Sequence, residues 1–302
     1  MKLIVTGASG FIGAALCRQL LDQGHVLALF TRGSPRDPAT GVKRWLHWTP
    51  GTLRDWDTEL DGADGVINLA GEPIAAKKWS AAQRRRLEKS RIDSTHVLVQ
   101  ACAKAKQRPK FLLNASAVGY YGPCGDEILT EDAPPGKDFL ATLCRNWEEE
   151  AIRAEALGMR VVRLRTGIVL GPGGGALPKM VEPFKWFVGG PLGSGKQWMS
   201  WIHLEDHVRL ILHIIDDPRA SGPINATAPN PVQNKQFSRA LGSILHRPSW
   251  LPTPGFMLRL GLGEMADILL TGQRVAPAAA QKLGFEFRHA ELPKALEACK
   301  PL

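Results

Sequence analysis

The chain begins with an apolar run that gives way to regularly spaced glycines and then to a helical pattern. Residues 3–5 are a short apolar run typical of a buried strand, and glycines follow at positions 7, 10 and 13. Over residues 14–21 the apolar positions recur at the spacing of one helix face. The pattern therefore predicts a strand, a tight turn and a helix in immediate succession.

This glycine spacing is typical of a turn that holds a dinucleotide pyrophosphate. Gly7 would allow the turn, Gly10 would let the backbone approach the phosphates, and Gly13 would let the helix pack closely on the strand. Free N–H groups at the helix start would bind the phosphate charge. A turn of the same shape without a ligand is the alternative. The expected contacts are Gly7, Ser9, Gly10, Phe11, Ile12 and Gly13.

Further apolar runs alternate with helical patterns along the first half of the chain. Strands are expected over residues 26–30, 65–70, 110–114 and 160–164, with one or two helices over 80–106 and another over 139–157. Strands and helices in this alternation form a parallel sheet with right-handed crossovers. We predict an α/β fold with a doubly wound parallel sheet, of Rossmann type, over residues 1–170.

The composition changes after residue 170, where glycine and proline cluster at 171–175 and 189–195. We expect a smaller C-terminal substrate lobe over most of residues 171–302, with a segment of about 196–228 returning to the first domain. A ligand cleft should lie between the lobes, beyond the carboxyl ends of the strands.

Composition and charge narrow the class of protein. The chain of 302 residues is 44% hydrophobic, and no apolar run approaches the ~18 residues of a membrane span. Five scattered cysteines and the absence of a signal-peptide pattern favour reduced thiols and a cytoplasmic location. A net charge of +9 is compatible with nucleic-acid binding, with solvated surface or with a polyanionic cofactor.

The densest basic stretch, residues 77–91, has two interpretations. Ser80 is placed as a helix N-cap, and the cations after it fit a solvated helix face better than a nucleic-acid site. Lys77 and Lys78 follow another glycine loop closely and are candidates for holding an acidic substrate.

The end of the second predicted strand indicates which dinucleotide is bound. NAD-binding chains usually carry an acidic residue there, whereas Thr31 and Arg32 stand at this point and the first acid is Asp37. Arg32 would pair with a 2′-phosphate and Thr31 would add a hydroxyl, which favours NADP(H). An arginine that only caps a surface turn is the alternative.

Several segments together resemble a known family. The glycine turn is joined by residues 68–74, 116–122 and 201–206, and narrower marks occur at 71–74, 147–148, 189–195, 272–277 and 284–287. The chain resembles an atypical extended short-chain dehydrogenase/reductase of the epimerase-like YfcH family, some members of which carry the label of cell-division inhibitor. The resemblance implies a family-specific C-terminal region over about residues 249–297 and is compatible with a homodimer.

The same resemblance implies roles for particular residues. Ser116 stands at the family's active-site serine after the fifth strand, and residues 165–169 continue the strand beside the nicotinamide. The implied activity is hydride transfer at a carbonyl or alcohol of a small molecule. The further cofactor contacts that it implies are Asn68, Leu69, Ala70, Gly71, Glu72, Thr166 and Gly167.

The usual acid/base pair of that superfamily is missing. A Tyr and a Lys four residues later normally share one helix face, but only Tyr120 and Tyr121 exist here, and neither is followed by that lysine. Ser116 could hydrogen-bond a substrate carbonyl. Either tyrosine could donate a proton or simply pack in the cleft, and Cys144 could be a nucleophile, an acid or a small core residue. Glu148 could act as a base, but a surface carboxylate paired with Arg145 is the favoured interpretation.

Two function hypotheses therefore stand: an NADP(H)-dependent oxidoreductase with an unusual acid/base set, and a catalytically silent NADP(H)-binding or redox-sensing protein. Residues 190–196 resemble a phosphate loop, but Gln197 replaces the Mg²⁺-binding hydroxyl. His203 and His207 lack the order of known zinc motifs, so no metal is predicted, and His203 and Asp206 are expected to organise the cleft.

Overall fold

A seven-stranded parallel sheet forms the centre of the computed structural model, which describes residues 1–31, 33, 42–48, 52 and 55–302. Its strands are β1 (Lys2–Thr6), β2 (Val26–Thr31), β3 (Val42–His47), β4 (Gly65–Asn68), β5 (Phe111–Ala117), β7 (Arg160–Thr166) and β11 (Gly222–Ala226). Their spatial order is β11-β7-β5-β4-β1-β2-β3. The order reverses between β1 and β4, which is the point where sheets of this type bind ligands.

Helices cover both faces of the sheet. They are α1 (Phe11–Asp22), α2 (Ala81–Lys89), α3 (Ile92–Lys104), α4 (Phe139–Ile152) and α6 (Leu204–Asp216). Along β1, Leu3 and Val5 pack towards α1 and α6, whereas Ile4 packs towards α3. Because successive strand residues point to opposite faces and both faces are covered, β1 is a continuous apolar run rather than an alternating one.

The sequence-based elements are confirmed in type, with differences at their ends. Residues 80–106 form two helices that break at Ser90 and Arg91, and the helix expected over 139–157 changes to a 3-10 helix at Arg153–Leu157. Strand β3 was not predicted, because its sequence Val-Lys-Arg-Trp-Leu-His carries too many polar residues to be recognised as an apolar run.

A second core lies in the C-terminal half, around Phe184, Trp201, Phe237 and Leu296. Helices α5 (Leu177–Lys185), α7 (Asn234–Leu245) and α11 (Leu292–Ala298) contribute residues to this core. The remaining described α-helices of this half are α8 (Gly255–Leu262), α9 (Asp267–Leu270) and α10 (Ala278–Lys282), and α10 packs with Ala280 on the first core. Short strands pair as β6 (Ile128–Leu129) with β13 (Arg274–Val275), β8 (Ile168–Leu170) with β10 (Trp201–His203), and β9 (Trp198–Met199) with β12 (Val232–Gln233). Among the described helices, none has the length and apolar character needed to span a bilayer.

Candidate functional site

The turn between β1 and α1 has the tight packing that its glycines suggest. Gly7 has a φ of 72°, and a Cβ placed on it would lie 2.6 Å from the carbonyl oxygen of Leu69. A Cβ on Gly13 would collide with the carbonyl oxygen of Gly7. Helix α1 begins after Gly10, which offers no capping side chain, so its first N–H groups have no side-chain acceptor. Ser9 and Gly10 are exposed. The turn therefore fits a pyrophosphate that approaches the backbone.

A glycine loop from the second half of the chain lies against this turn. A Cβ on Gly171 would lie 3.0 Å from the ring of Phe11, a Cβ on Gly175 would lie 2.9 Å from it, and one on Gly174 would overlap it. These glycines therefore make room for the Phe11 ring. The sequence had suggested only a change of lobe at this point.

At the far end of the predicted cofactor site, β2 ends at Thr31. Its hydroxyl oxygen accepts a hydrogen bond from the N–H of Gly33 at 3.2 Å. Arg32 and Asp37, on which the choice of NADP(H) depends, lie outside the described residues. The 2′-phosphate contact stays a prediction.

Buried polar side chains join the carboxyl ends of β1 and β4 to the middle of β5. The Thr6 hydroxyl donates to Asn68 Oδ1 at 2.6 Å, and Asn68 Nδ2 donates to Asn114 Oδ1 at 2.6 Å and to Thr95 Oγ1 at 2.9 Å. Trp147 Nε1 donates to the same Thr95 oxygen. The Asn68 side chain is thus occupied within the protein, and any contact with a cofactor would come from its backbone.

Arg91 contacts the loop after β4 at Gly71 and Glu72. Its Nη2 donates to the carbonyl oxygen of Glu72 at 2.9 Å, and a Cβ on Gly71 would lie 3.1 Å from its Cζ. The guanidinium also lies over the ring of Trp147. Arg91 is buried, and burial lowers its pKa. The expectation that the whole basic stretch is a solvated face is therefore wrong at Arg91, because this side chain turns inward at the break between α2 and α3.

Ser116 lies within β5, one residue before its end, rather than after it. Its hydroxyl donates to Glu148 Oε1 at 2.7 Å, and both groups are buried. Glu148 also receives a two-pronged contact from Arg165, with Nε to Oε1 and Nη2 to Oε2 each at 2.9 Å. The interpretation of Glu148 as a surface partner of Arg145 is wrong. Arg145 pairs with Glu149 instead, and Glu148 faces the core.

The electrostatics of this pair define what Ser116 can offer. Burial opposes the charged form of Arg165, but the hydrogen bonds and charge of Glu148 outweigh it, and the pKa of Arg165 is raised. The Ser116 proton points to the carboxylate, and the buried Cys144 thiol also forms a hydrogen bond with this hydroxyl. In this orientation the Ser116 oxygen can accept a hydrogen bond from a further group but has no proton to donate to it. Donation to a carbonyl would require the hydroxyl proton to turn away from Glu148.

Tyr121 and Tyr120 sit on a 3-10 helix, Val118–Tyr121, directly after β5. The Tyr121 hydroxyl donates to Asn225 Oδ1 at 2.7 Å and accepts from Arg165 Nη1 at 3.0 Å. Burial raises the pKa of Tyr121 to about 12. The half-buried Tyr120 ring has its centroid 3.5 Å from the Arg165 guanidinium carbon. The Tyr121 hydroxyl is therefore hydrogen-bonded within the protein interior, and the Tyr120 ring covers the Arg165 guanidinium.

The face of α4 that meets this helix is apolar. Leu140 and Cys144, spaced four residues apart, both lie against Gly119. Burial and the charge of Glu148 raise the pKa of Cys144 to about 12. A protonated, enclosed thiol is a poor nucleophile, so its geometry supports the interpretation as a small core residue.

The C-terminal region completes the surroundings of Arg165. Asn225 Nδ2 donates to the carbonyl oxygen of Ala276 at 2.9 Å, and Glu131 Oε1 accepts from the N–H groups of Asn225 and Ala279 at 2.9 and 3.1 Å. Arg165 Nη1 donates to the backbone oxygen of Glu131 at 3.1 Å. Sequence reasoning missed Glu131 and Asn225. Both lie more than thirty residues from the residues they support, and no local pattern marks them.

Comparison with known proteins identifies the family to which the chain belongs. Residues 3–226 match the NAD dependent epimerase/dehydratase family, which is most of the chain. The chain belongs to this family. Residues 253–299 match a domain of unknown function, DUF1731, so this member of the epimerase/dehydratase family carries a second recognisable unit at its C-terminal end.

Individual relatives of this epimerase/dehydratase family member cover nearly all of its length. An Arabidopsis thaliana protein described as "Epimerase family protein SDR39U1 homolog, chloroplastic" is 42% identical over 99% of this chain and 86% of its own. The crystal structure of human epimerase family protein SDR39U1 (isoform2) with NADPH is 33% identical, covers 99% of both chains and has a TM-score of 0.89. A nucleoside-diphosphate sugar epimerase from Corynebacterium glutamicum is 35% identical, covers 99% of this chain and 58% of that one, and has a TM-score of 0.81.

These matches confirm the resemblance at the level of the epimerase/dehydratase family. The cytoplasmic location stays a prediction, since the Arabidopsis relative is described as chloroplastic. Two of the predicted cofactor contacts pack against neighbouring elements: the Thr166 hydroxyl is 3.0 Å from His207 Nε2, and a Cβ on Gly167 would lie 2.5 Å from the carbonyl oxygen of Ser200. Their contact with a cofactor stays a prediction.

A cluster of His203, Glu205 and His289 brings possible metal ligands within 4.8 Å of one another. However, His203 Nδ1 accepts the N–H of Glu205, so the ring proton of neutral His203 lies on Nε2 and blocks the lone pair a metal would need. The imidazole rings of His203 and His289 also lie in contact, with centroids 3.9 Å apart and planes tilted by 39°. The arrangement caps α6 and fastens the C-terminal chain to it, while His207 turns instead towards Thr166.

Proposed function

We propose that this chain is an NADP(H)-dependent, epimerase-like oxidoreductase that acts on a carbonyl or alcohol group of a small molecule. The observation that carries the proposal is the Ser116–Glu148 pair at the carboxyl end of β5. A hydroxyl whose proton is already directed to a carboxylate is suited to pass a proton to or from a substrate oxygen.

The cofactor part of the proposal has two supports. The β1–α1 turn leaves backbone N–H groups and no side chain where a pyrophosphate would bind, and residues from Gly7 to Gly13 would hold it. The 33% identical human relative was crystallised with NADPH. When bound, NADP(H) would supply or accept a hydride. Thr31 and Arg32 would hold its 2′-phosphate, and the loop of Leu69–Glu72 would lie under it.

The proton would move along two hydrogen bonds. For oxidation of an alcohol, the substrate O–H bond breaks as a new O–H bond forms on Ser116, while the original Ser116 proton passes to Glu148 Oε1. Reduction of a carbonyl runs the same transfers backwards. Arg165 fixes both carboxylate oxygens of Glu148 and balances their charge. The backbone carbonyl of Ala276 accepts a hydrogen bond from Asn225, which in turn accepts one from Tyr121. Ser116 would thus take the role of the missing tyrosine.

The surroundings of the cleft favour an acidic substrate. Lys77 and Lys78 are exposed on the loop after Gly71, and Lys179 of α5 reaches the carbonyl oxygen of Ala75 in that loop. A phosphorylated sugar or a sugar nucleotide would match these cations, and the Corynebacterium relative is described as a nucleoside-diphosphate sugar epimerase. Sugar nucleotides are therefore the first compounds to test.

The experiment is a turnover assay with NADPH and NADP⁺ against sugar nucleotides, phosphorylated sugars and simple carbonyl compounds, followed through the absorbance of the reduced nicotinamide. Wild-type protein should turn over at least one compound, and Ser116→Ala should lose at least about 100-fold in kcat. Ser243→Ala, an exposed serine on α7, is the matched control. Equal rates in wild type and Ser116→Ala would rule out the proposed proton path.

A second candidate function, a silent NADP(H)-binding or redox-sensing protein, is favoured by one observation. The face of α4 that lies against Gly119 holds Leu140, which has no proton to transfer, and Cys144, whose pKa burial raises to about 12. Neither side chain transfers protons at neutral pH. Tight NADPH binding without turnover of any compound in the assay would support this candidate over the oxidoreductase.

A further inference from the structure

Eight large apolar side chains are exposed on one part of the C-terminal half. They follow α5, precede α8 and lie on α8 itself. We call them the apolar patch: Trp186, Phe187, Val188, Trp250, Leu251, Phe256, Met257 and Leu260. Soluble monomers seldom expose so many large apolar side chains together.

The segments of the apolar patch are in contact. Gly190 packs against the backbone of Leu251, and Leu192 bridges to Thr253. Arg247 lies over the Phe187 ring at 4.5 Å. Phe187 itself has a φ of 61°, where glycine is normally favoured, so the backbone adopts an unfavourable conformation that leaves this ring exposed. The segment after α5 is thus paired with the segment before α8, and α8 follows directly from the second of them.

Helix α8 packs mainly against the short 3-10 helix that follows it, Gly263–Ala266, and is otherwise little covered by the described chain. None of its eight residues is buried, although its sequence Gly-Phe-Met-Leu-Arg-Leu-Gly-Leu is almost entirely apolar. A helix this short is marginal in water and usually owes its stability to an apolar face that is covered. The covering surface should therefore come from outside the described chain.

The size of the apolar patch matches what a stable dimer needs. Its four aromatic side chains are 57 to 72% exposed and offer roughly 500 Å² if each buries about 200 Å² when covered. The four aliphatic side chains add roughly 200 Å². The sum approaches the ~800 Å² that each partner contributes to a standard interface and exceeds the typical largest patch of a monomer.

Charge distinguishes between occupants. The chain as a whole carries +9, but residues 182–190 and 246–267 are balanced. Their charged residues are Lys185, Arg247 and Arg259 against Glu182, Glu264 and Asp267. An anionic membrane or a nucleic acid would gain little from such a surface, whereas two copies can meet there without net repulsion. We propose that the apolar patch is the interface of a two-fold symmetric homodimer.

The test is the solution mass of the full chain, measured by light scattering after size exclusion and by sedimentation equilibrium. Wild type should have twice the 32.9 kDa mass of one chain. Leu260→Asp, which alters a residue that is 84% exposed, should raise the dissociation constant at least about 30-fold. Ile128→Asp, an exposed apolar residue outside the patch, is the matched control and should stay dimeric. Circular dichroism verifies that both variants fold.

Three results would overturn the proposal. They are a wild-type monomer at micromolar concentration, a dimer unaffected by Leu260→Asp, and a monomer that instead co-sediments with vesicles of phosphatidylcholine and phosphatidylglycerol. The last result would assign the apolar patch to a membrane surface.

Discussion

The Ser116 hydroxyl donates a 2.7 Å hydrogen bond to Glu148 Oε1, and Arg165 holds both oxygens of the same carboxylate. These three side chains come from β5, α4 and β7 and are all buried. A buried carboxylate of this kind is stable only while its cation and its hydrogen-bond donors are present. The three side chains therefore depend on one another, and we expect substitution of Glu148 or Arg165 alone to destabilise the folded protein.

Glu148→Gln should lower the free energy of unfolding by about 3–5 kcal/mol, because it leaves the Arg165 charge buried without a counter-charge. Glu149→Gln changes a largely exposed neighbour on the same helix and should cost less than about 1 kcal/mol. Urea denaturation of both variants measures the difference. If the two lose equal stability, the buried pair does not act as described.

Gly13→Ala should weaken NADPH binding at least about 10-fold, because the new Cβ would push α1 away from the Gly7 carbonyl and disturb the turn. Gly125→Ala is the matched control, since nothing lies within 4 Å of a Cβ at that position. Fluorescence titration with NADPH measures both. Unchanged affinity in the Gly13 variant would place the cofactor elsewhere.

Arg32→Ala should weaken NADPH binding by about 10- to 100-fold and leave NADH binding nearly unchanged, because a hydrogen-bonded charge on the 2′-phosphate contributes about 1.5–3 kcal/mol. Parallel titrations with the two reduced dinucleotides measure the ratio. An equal loss for both would indicate that Arg32 serves the turn rather than the phosphate.

His207 should make the protein sensitive to mild acid. Burial lowers the pKa of His207 from 6.5 to about 4. Between pH 6.5 and about 4 the imidazole is therefore protonated in the unfolded chain and neutral in the folded protein. This contribution to stability is complete above pH 6.5 and is lost as the pH falls towards 4, about 3 kcal/mol in all. The dependence should become shallower in His207→Gln.

The control for that comparison is His47→Gln, which removes an exposed histidine on β3. Its free energy of unfolding should keep the wild-type slope between pH 6.5 and 4. Identical slopes in wild type and His207→Gln would mean that the buried histidine is not the group responsible.

The parts of the fold that follow from local sequence were predictable. The β1–α1 turn combines an apolar strand, spaced glycines and a helical period within about twenty residues, and each of these signals is local. Strand β3 could not be predicted from the sequence, because half of its residues are polar and it is stabilised as a strand by its pairing with β2.

Side-chain direction was less predictable than element type. Glu148 and Glu149 differ by one helix position, yet one is buried against Arg165 and the other is largely exposed. A neighbouring cation in the sequence suggested the wrong partner, because the face that meets β5 is chosen by tertiary packing. Arg91 was misjudged for the same reason, since a run of cations does not reveal where a helix breaks.

Contacts between distant segments could not be read from the sequence at all. Ala276 and Ala279 complete the surroundings of Asn225 and Glu131 through backbone groups, which carry no residue-type signal. The same holds for the glycines at 171, 174 and 175, whose role becomes clear only when the Phe11 ring lies against them.

The most direct test of the proposed oxidoreductase activity is deuterium transfer from NADPH labelled at C4 of its nicotinamide, measured by mass spectrometry of the recovered substrate panel. We expect one compound to gain a single deuterium on carbon with wild type, and to gain far less with Ser116→Ala. Saturating NADPH binding with no deuterium in any compound would contradict the account and leave the protein as a silent binder of the dinucleotide.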